Sequence, residues 1–310
     1  MTQEEFSLIG RLLHDIRKEK KLSMEDVCHG LCNKATLSRI ERGEIECDIM
    51  LAEALFTRMG VTPNDKLIPV NREQYQRFKI REQIDLLVDI SDSRRKVLLE
   101  EYKNGKPLNK FEKQFYAKSE GIYKIYIDGL SENIISIYEK ALQLTLPNFK
   151  ARSLQMPEGL LSYFELALMN NMAHAEFYMS EQKEEWKFLR QIAIKRIQFL
   201  KSYYEKNVDE FKKERLYSII IFNLTNWTED EGDSFSALEI AKKGLECEKK
   251  SIWYYSAHGL NIGVNLAKLG NLKDGERIIG NALNIQKYTS REDVYKYLVN
   301  EVNKNFGFHF

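Results

Sequence analysis

The sequence is short of proline and cysteine, carries almost no net charge and has no long apolar run. Its 310 residues include 5 prolines, 4 cysteines and 5 histidines, and 47 basic residues almost balance 46 acidic ones. Few prolines together with abundant leucine, lysine and glutamate predict an all-α protein. No run of about eighteen apolar residues exists, so we expect no membrane-spanning helix. The segment MTQEEFSLIG is acidic rather than basic, so we expect no secretory signal and a cytoplasmic protein.

Catalytic and nucleotide-binding motifs are also missing. The sequence contains none of the patterns GxxxxGK[ST], GxSxG, HExxH and GxGxxG, so we predict that the chain is not an enzyme and uses no cofactor. Cys28 and Cys32 share a helix face at a spacing of four residues, and only His29 and Cys47 lie near them as further ligands. We predict reduced structural thiols and no metal site, with a zinc or redox role as the alternative.

Residues 22–43, LSMEDVCHGLCNKATLSRIERG, carry the clearest functional pattern. They predict two short helices joined by a tight connection, with apolar residues facing inward at Val27, Leu31, Leu37 and Ile40. Two helices of this kind are what a helix-turn-helix needs to place its second helix in a major groove. Although the whole chain is near neutral, residues 17–42 hold seven basic residues against four acidic ones. This local excess favours contact with phosphate.

Apolar spacing and capping signals predict four or five short helices within residues 1–66. Ser23 and Asp26 indicate a capping box at the start of the second helix, while Asn33 caps the third and Gly43 ends it. The first helix follows from the spacing of Phe6, Ile9, Leu12, Leu13 and Ile16. The fourth follows from Met50, Leu51, Ala54, Leu55 and Met59, and ends at Gly60 and Pro63.

The order of these segments, IRKEKKLS, MEDV and above all LSRIERG at residues 37–43, resembles the Xre or lambda-repressor-like helix-turn-helix family. The resemblance implies a recognition helix at residues 34–42 whose first turn contacts bases. It also implies a structural salt bridge between Arg17 and Glu41, which would join the first and third helices. The chain departs from the family at Met24, where a glutamine often contacts the DNA backbone.

The polar side chains of this helix form the predicted DNA-binding set. Arg39 can pair with a guanine edge, Lys34 can reach bases or phosphates, and Arg42 is placed for phosphate. The full set is Asn33, Lys34, Thr36, Ser38, Arg39 and Arg42. The alternative is that these residues only solvate an exposed helix.

Beyond residue 66 we predict connecting helices over residues 67–110 and a helical repeat array over residues 111–310. The clearest repeat pairs GDSFSALEIAKKGLE with GNLKDGERIIGNALN, 38 residues later, and a weaker copy begins at Gly129. Matching positions hold the small or apolar residues Ala237, Ala241 and Gly244, and Gly275, Ile279 and Ala282. They let two antiparallel helices approach closely, which resembles the tetratricopeptide (TPR) repeat, although its Trp and Pro landmarks are absent.

The first helices of these repeats carry asparagines that would line the concave wall of a TPR-like superhelix. Because a carboxamide both donates and accepts hydrogen bonds, a ladder of asparagines can bind the backbone of an extended peptide. The predicted peptide-binding residues are Asn171, Asn223, Asn226, Asn261 and Asn265. Neighbouring pockets would use Tyr163, Phe164, Phe222, Trp227, Tyr254 and Tyr255. The alternative is that the asparagines end or solvate helices and the aromatic residues belong to the core.

Together the two regions resemble the peptide-pheromone-responsive regulators of Gram-positive bacteria, the Rgg, PlcR, PrgX and ComR group. The resemblance implies a cytosolic homodimer that regulates transcription in quorum sensing. Its partners would be double-stranded DNA with paired half-sites and a short signalling peptide in the concave groove. The alternatives are a phage or mobile-element repressor whose helical region serves only dimerisation or protein partners, and a TPR scaffold with a vestigial helix-turn-helix.

Overall fold

The computed structural model describes residues 3–61, 72–87, 93–104, 107–209, 215–248 and 251–310, and these residues contain helices and no strand. This confirms the predicted all-α class. The α helices of the described residues are α1 (Gln3–Glu19), α2 (Met24–Cys28), α3 (Lys34–Glu41), α4 (Ile49–Arg58), α5 (Arg72–Leu86), α6 (Arg94–Lys103), α7 (Lys110–Asp128), α8 (Glu132–Gln143), α9 (Tyr163–Gln182), α10 (Phe188–Asn207), α11 (Arg215–Asp230), α12 (Ser234–Cys247), α13 (Ile252–Lys268), α14 (Leu272–Thr289) and α15 (Glu292–Phe306). In that part of the chain, no helix combines the length and the apolar character needed to cross a membrane.

The chain forms two compact units, Met1–Asp209 and Glu210–Phe310. The first unit contains α1–α10 and the second contains α11–α15. The predicted domain boundaries at residues 66 and 110 fall inside the first unit, and residue 66 lies outside the described residues. Those boundaries stay a prediction.

Local signals in the first 60 residues produce the helix boundaries that they predict. Ser23 accepts a hydrogen bond from the backbone of Asp26 at 3.1 Å, and Asp26 accepts one from the backbone of Ser23, which completes the capping box. The side chain of Asn33 accepts from the backbone N–H of Thr36 at 2.7 Å. Gly43 ends α3 in the left-handed region, with φ 70°. Each cap satisfies a backbone group that a helix end leaves without a partner.

The helix-turn-helix region shares one apolar core with the helices that follow it in the first unit. Leu13, Val27, Leu37 and Ile40 are buried in this core, which continues to Phe115 of α7. The apolar spacing correctly predicts α1, but within that set Leu12 is half exposed whereas Leu13 is buried. The side chain of Phe6 lies outside the described residues.

Two glycines mark close contacts between this region and later helices of the first unit. A methyl group added to Gly30 would lie 2.0 Å from the carbonyl oxygen of Thr145, and one added to Gly60 would lie 2.0 Å from that of Asn207. Both glycines have positive φ, 69° and 73°, which side chains with a Cβ rarely adopt. The backbone itself therefore forms the contact at each point.

In the second unit, α11 packs on α12 and α13 packs on α14 through small residues. Ala237 and Ala241 of α12 and Ile279 and Ala282 of α14 are buried, as the repeat pattern predicts. Gly275 of α14 faces Gly263 of α13 so closely that a methyl group on Gly275 would lie 2.9 Å from the Gly263 carbonyl oxygen. These antiparallel pairs are the TPR-like part of the fold.

Gly275→Ala is expected to lower the free energy of unfolding by about 1–3 kcal/mol, because the added methyl group forces α13 and α14 apart. Gly259→Ala is the matched control, since a methyl group there meets its nearest atom, the Cβ of Ala282, at an ordinary 3.7 Å. That control is expected to be neutral or to stabilise by up to about 1 kcal/mol through its better helix propensity. Denaturant unfolding measures both variants, and equal stabilities would contradict the close packing.

Candidate functional site

A buried ion pair fixes α3 against α1. Arg17 donates from Nε to Oε1 of Glu41 and from Nη2 to Oε2, both at 2.7 Å, and the two side chains are buried. This fork-to-fork geometry is the strongest form of a guanidinium–carboxylate contact. The hydrogen bond to Glu41 also raises the pKa of Arg17. The salt bridge implied by the helix-turn-helix resemblance is therefore present.

The opposite face of α3 points to solvent. The side chains of Lys34, Arg39 and Arg42 are 59%, 53% and 57% exposed, whereas Leu37 and Ile40 face the core. Thr36 and Ser38 are partly buried on the same polar face. The side-chain oxygen of Asn33 is engaged in capping α3, and Arg42 caps its C-terminal end. The structure thus places the whole predicted DNA-binding set on one short, solvent-facing segment.

Two carboxylates that sequence reasoning missed pair with the cations of this segment. Glu25 of α2 binds Lys34, and Glu44, just after α3, binds Arg42 at 2.6 Å. Glu44 also lies 3.6 Å from Nε of Arg39. The hydrogen bond from Arg42 lowers the pKa of Glu44 and, in return, raises that of Arg42. The sequence shows these acids close to the basic residues, but the partner of each acid follows only from the folded geometry.

The cysteines of the helix-turn-helix region are poorly suited to metal or redox chemistry. Cys28 and Cys47 are buried and Cys32 is partly buried. Burial raises the pKa of Cys32 to about 11 and also raises those of Cys28 and Cys47. A protonated thiol is a weak nucleophile, so the raised pKa values disfavour reactive thiols at these positions. No group of three or more candidate metal ligands occurs within the residues that the structure describes.

A second buried ion pair ties the helix-turn-helix region to α9. Arg58 of α4 donates from Nη2 to Oε1 of Glu165 at 2.9 Å, and its Nη1 donates to the carbonyl oxygen of His29 in the turn. Nearby, the backbone N–H of Tyr163 donates to Oγ1 of Thr57 at 3.0 Å. Lys110 of α7 donates to the carbonyl oxygen of Gly30. The turn before α3 is therefore held by both α7 and α9.

Four of the five predicted peptide-binding asparagines lie on α11 and α13 of the second unit. Asn261 donates to the side-chain oxygen of Asn226 at 2.7 Å. One turn further along, Asn265 donates to Glu229 at 3.1 Å and Lys268 binds the same carboxylate at 2.7 Å. Asn223 is buried on α11. The structure brings Asn226, Asn261 and Asn265 into a polar row between the two helices, and sequence reasoning missed Glu229 and Lys268 of the same row.

Asn171 and part of the aromatic set fall elsewhere. Asn171 belongs to α9 in the first unit, where it accepts from the side chain of Asn170 at 3.4 Å. Phe164 and Trp227 are core residues, which is the alternative that the sequence left open. Phe222 and Tyr254 are partly buried and meet edge to face, with ring centroids 5.9 Å apart. Tyr163 is also partly buried, and Tyr255 is exposed.

Comparison with known proteins gives similarities at the level of structure. No protein-family model matches the sequence, and no curated protein matches it. The chain is similar to PlcR of Bacillus thuringiensis, solved in complex with the peptide PapR7 and DNA, with a TM-score of 0.56 and 14% identity over 95% of this chain and 99% of that chain. Apo ComR from S. thermophilus gives a TM-score of 0.49 at 16% identity over 97% and 99% of the two chains. The SHP pheromone receptor Rgg2 of Streptococcus dysgalactiae gives 0.43 at 16% identity over 96% and 99%.

The similarity to PlcR extends over nearly the full length of both chains and is a similarity of fold. It confirms the predicted fold, a helix-turn-helix followed by a TPR-like helical array.

Proposed function

We propose that the chain is a cytoplasmic, homodimeric transcription regulator that binds double-stranded DNA through α3 and is switched by a short signalling peptide bound along α11 and α13. The observation that carries the proposal is the presentation of α3, which a buried Arg17–Glu41 pair holds from behind while its polar face is exposed. The fold similarity to PlcR, a protein solved with both a peptide and DNA, supports the same conclusion.

The dimensions and chemistry of α3 suit a major groove. An α-helix with its side chains is about 10–12 Å across, which matches the major-groove width of roughly 12 Å, and the 8 residues of α3 give it a length of about 12 Å. Lys34 at its start and Arg39, five residues later, both point outward. An arginine in this position can make a bidentate contact with guanine, whereas a lysine at the helix end reaches phosphate. In a dimer, the two copies of α3 would contact two half-sites that lie about one or two turns of the DNA helix apart.

Arg39→Ala is expected to weaken binding to a selected duplex by about 1–3 kcal/mol and to relax sequence preference, because the variant loses a contact to base edges. Lys140→Ala, which removes an exposed positive charge from α8, is the control and is expected to leave binding unchanged. Fluorescence anisotropy with labelled duplex measures both. An Arg39→Ala variant that binds and discriminates like the parent protein would refute the assignment of α3 as the recognition helix.

The polar row between α11 and α13 offers hydrogen bonds to a peptide backbone. Asn226 is partly buried and accepts from Asn261, while its own amide N–H groups make no hydrogen bond within the described residues. Glu229 and Lys268 add opposite charges at the end of the same row. Such a row can bind an extended backbone without reading its side chains. The partly buried rings of Phe222 on α11 and Tyr254 on α13 can supply selectivity for the side chains of the peptide.

The combined substitution Asn223→Ala and Asn261→Ala is expected to abolish the response to peptide while leaving DNA binding and dimer mass unchanged. The probe is a pool of short synthetic peptides, added to the full chain while its affinity for a selected duplex is measured. Asn284→Ala, an exposed position on α14, is the control and should respond like the parent protein. If the double variant still responds normally, the asparagine row does not bind the peptide.

A second candidate function is a DNA-binding repressor whose array serves only dimerisation or protein partners. The hydrogen bonds that join Asn261 to Asn226 and Asn265 to Glu229 favour it, because they give these side chains partners within the protein and join α11 directly to α13. For this function, the peptide pool leaves DNA binding unchanged. Asn261→Ala then acts only on stability, by leaving the oxygen of Asn226 without its partner.

A further inference from the structure

Every cationic side chain of the predicted DNA-contacting face already has an anionic partner within the protein. Glu44 contacts Arg42 through both of its oxygens, Oε1 to Nε at 2.6 Å and Oε2 to Nη2 at 3.2 Å. Arg39 lies 3.6 Å from the same carboxylate, and Lys34 is paired with Glu25. The two oxygens of Glu44 occupy the fork of Arg42 in the way that two oxygens of a phosphate would.

Glu44 is held in place by the backbone. After α3, Gly43 donates to the carbonyl oxygen of Ile40, and Glu44 donates from its backbone N–H to that of Arg39, both at 2.9 Å. These two bonds form the Schellman motif, with Gly43 in the left-handed conformation. The motif fixes the backbone of Glu44 beside the last turn of α3, and from there its side chain contacts both arginines.

Stability of the fold does not explain Glu44. The side chains of Glu25 and Glu44 are 68% and 46% exposed, and exposed ion pairs contribute little to stability. The negative charge of Glu44 just after the C-terminal end of α3 is also unfavourable toward the helix dipole, whereas Glu25 lies in the first turn of α2, where the dipole favours it. Glu41 is a useful contrast, because its carboxylate is buried and bonded to Arg17. Glu44 therefore has a role at the surface that it shares with the cations.

We propose that Glu44, assisted by Glu25, keeps the DNA-contacting cations in internal ion pairs, so that a DNA phosphate must displace a carboxylate before it binds. The inference rests on the proposed DNA-binding function and names residues that set its specificity. Replacing a carboxylate by a DNA phosphate as the partner of an arginine or lysine yields little free energy. A duplex without the cognate sequence offers no other contact and therefore binds weakly. A cognate site adds hydrogen bonds to base edges, which the carboxylates do not replace.

Glu44→Gln tests the proposal, with Glu46→Gln as the matched control. Both substitutions remove one negative charge, but Glu46 is exposed and forms no ion pair in the described structure. We expect Glu44→Gln to raise the affinity of the full chain for a random-sequence duplex roughly three- to tenfold at low salt. Its plot of log affinity against log salt should steepen by about 0.9 for each additional phosphate that the protein neutralises. Glu46→Gln should change the affinity for random duplex and the salt slope much less. The preference for a selected duplex over random duplex should fall in Glu44→Gln and stay unchanged in Glu46→Gln.

Arg42→Ala supplies a second comparison that does not depend on the size of the first effect. In the parent protein this substitution should cost little affinity for random duplex, because Arg42 is already paired. In the Glu44→Gln background the same substitution should cost more, since Arg42 is then free to bind phosphate. Equal costs in both backgrounds, or equal behaviour of Glu44→Gln and Glu46→Gln, would overturn the inference while leaving the proposed function intact. A parent protein that binds no duplex at all would instead overturn the proposed function, and the inference with it.

Discussion

Arg17→Met is expected to lower the free energy of unfolding of the first unit by about 3–5 kcal/mol and to abolish binding to DNA. The substitution leaves the carboxylate of Glu41 buried without its cation, because both oxygens of Glu41 are bonded to Arg17. It also removes the clamp between α1 and α3, so the exposed face of α3 loses its fixed position. Denaturant unfolding and anisotropy with duplex DNA measure the two effects.

Two further variants test whether the loss of stability in Arg17→Met comes from the broken Arg17–Glu41 pair. Lys18→Met removes the exposed neighbouring charge and is expected to change stability by less than about 1 kcal/mol. The combined change Arg17→Met and Glu41→Leu replaces the pair by apolar side chains and should recover most of the lost stability. If Arg17→Met alone costs no more than Lys18→Met, the pair does not hold α3.

Arg58→Met is expected to cost a similar amount, about 3–5 kcal/mol, and to loosen the turn before α3. Arg58 is fully buried, and it joins Glu165 of α9 to the carbonyl oxygen of His29. Its loss leaves a buried carboxylate without its cation and the turn without one of its donors. Hydrogen exchange should therefore become faster at Gly30 and Leu31, in step with the loss of stability.

Arg152→Met is the matched control for Arg58→Met. Arg152 also pairs with a glutamate, Glu132, at 2.7 Å, but both side chains are largely exposed, at 60% and 46%. Breaking an exposed pair is expected to cost about 0–1 kcal/mol. Equal losses in the two variants, or unchanged exchange at the turn in Arg58→Met, would contradict a tie between α4 and α9.

Short-range features of this protein follow directly from the sequence. Ser23 with Asp26 and Asn33 with Thr36 each join residues three apart, so a local pattern contains the whole interaction. The Arg17–Glu41 pair crosses 24 residues, yet the helix-turn-helix resemblance implies it. The small residues of α12 and α14 are predicted because their spacing repeats along the chain.

Long-range contacts do not follow from the sequence, because no local sequence pattern identifies which distant residue a side chain will contact. Arg58 and Glu165 are 107 residues apart, and Gly30 meets Thr145 only after α7 and α8 have packed. Leu12 fits the apolar spacing of α1 but is half exposed, because the helices that pack on α1 decide which part of its apolar face is covered. The asparagines are predicted as a set, whereas their bonds to one another and to Glu229 depend on the register between α11 and α13.

The most direct test of DNA recognition through α3 is selection from a random duplex library with the full chain, followed by measurement of affinity for the selected and the random duplexes. We expect an enriched sequence with two half-sites, bound much more tightly than random duplex, and a loss of this preference in Arg39→Ala. If the parent protein and Arg39→Ala both bind selected and random duplexes with equal affinity, DNA recognition through α3 is contradicted.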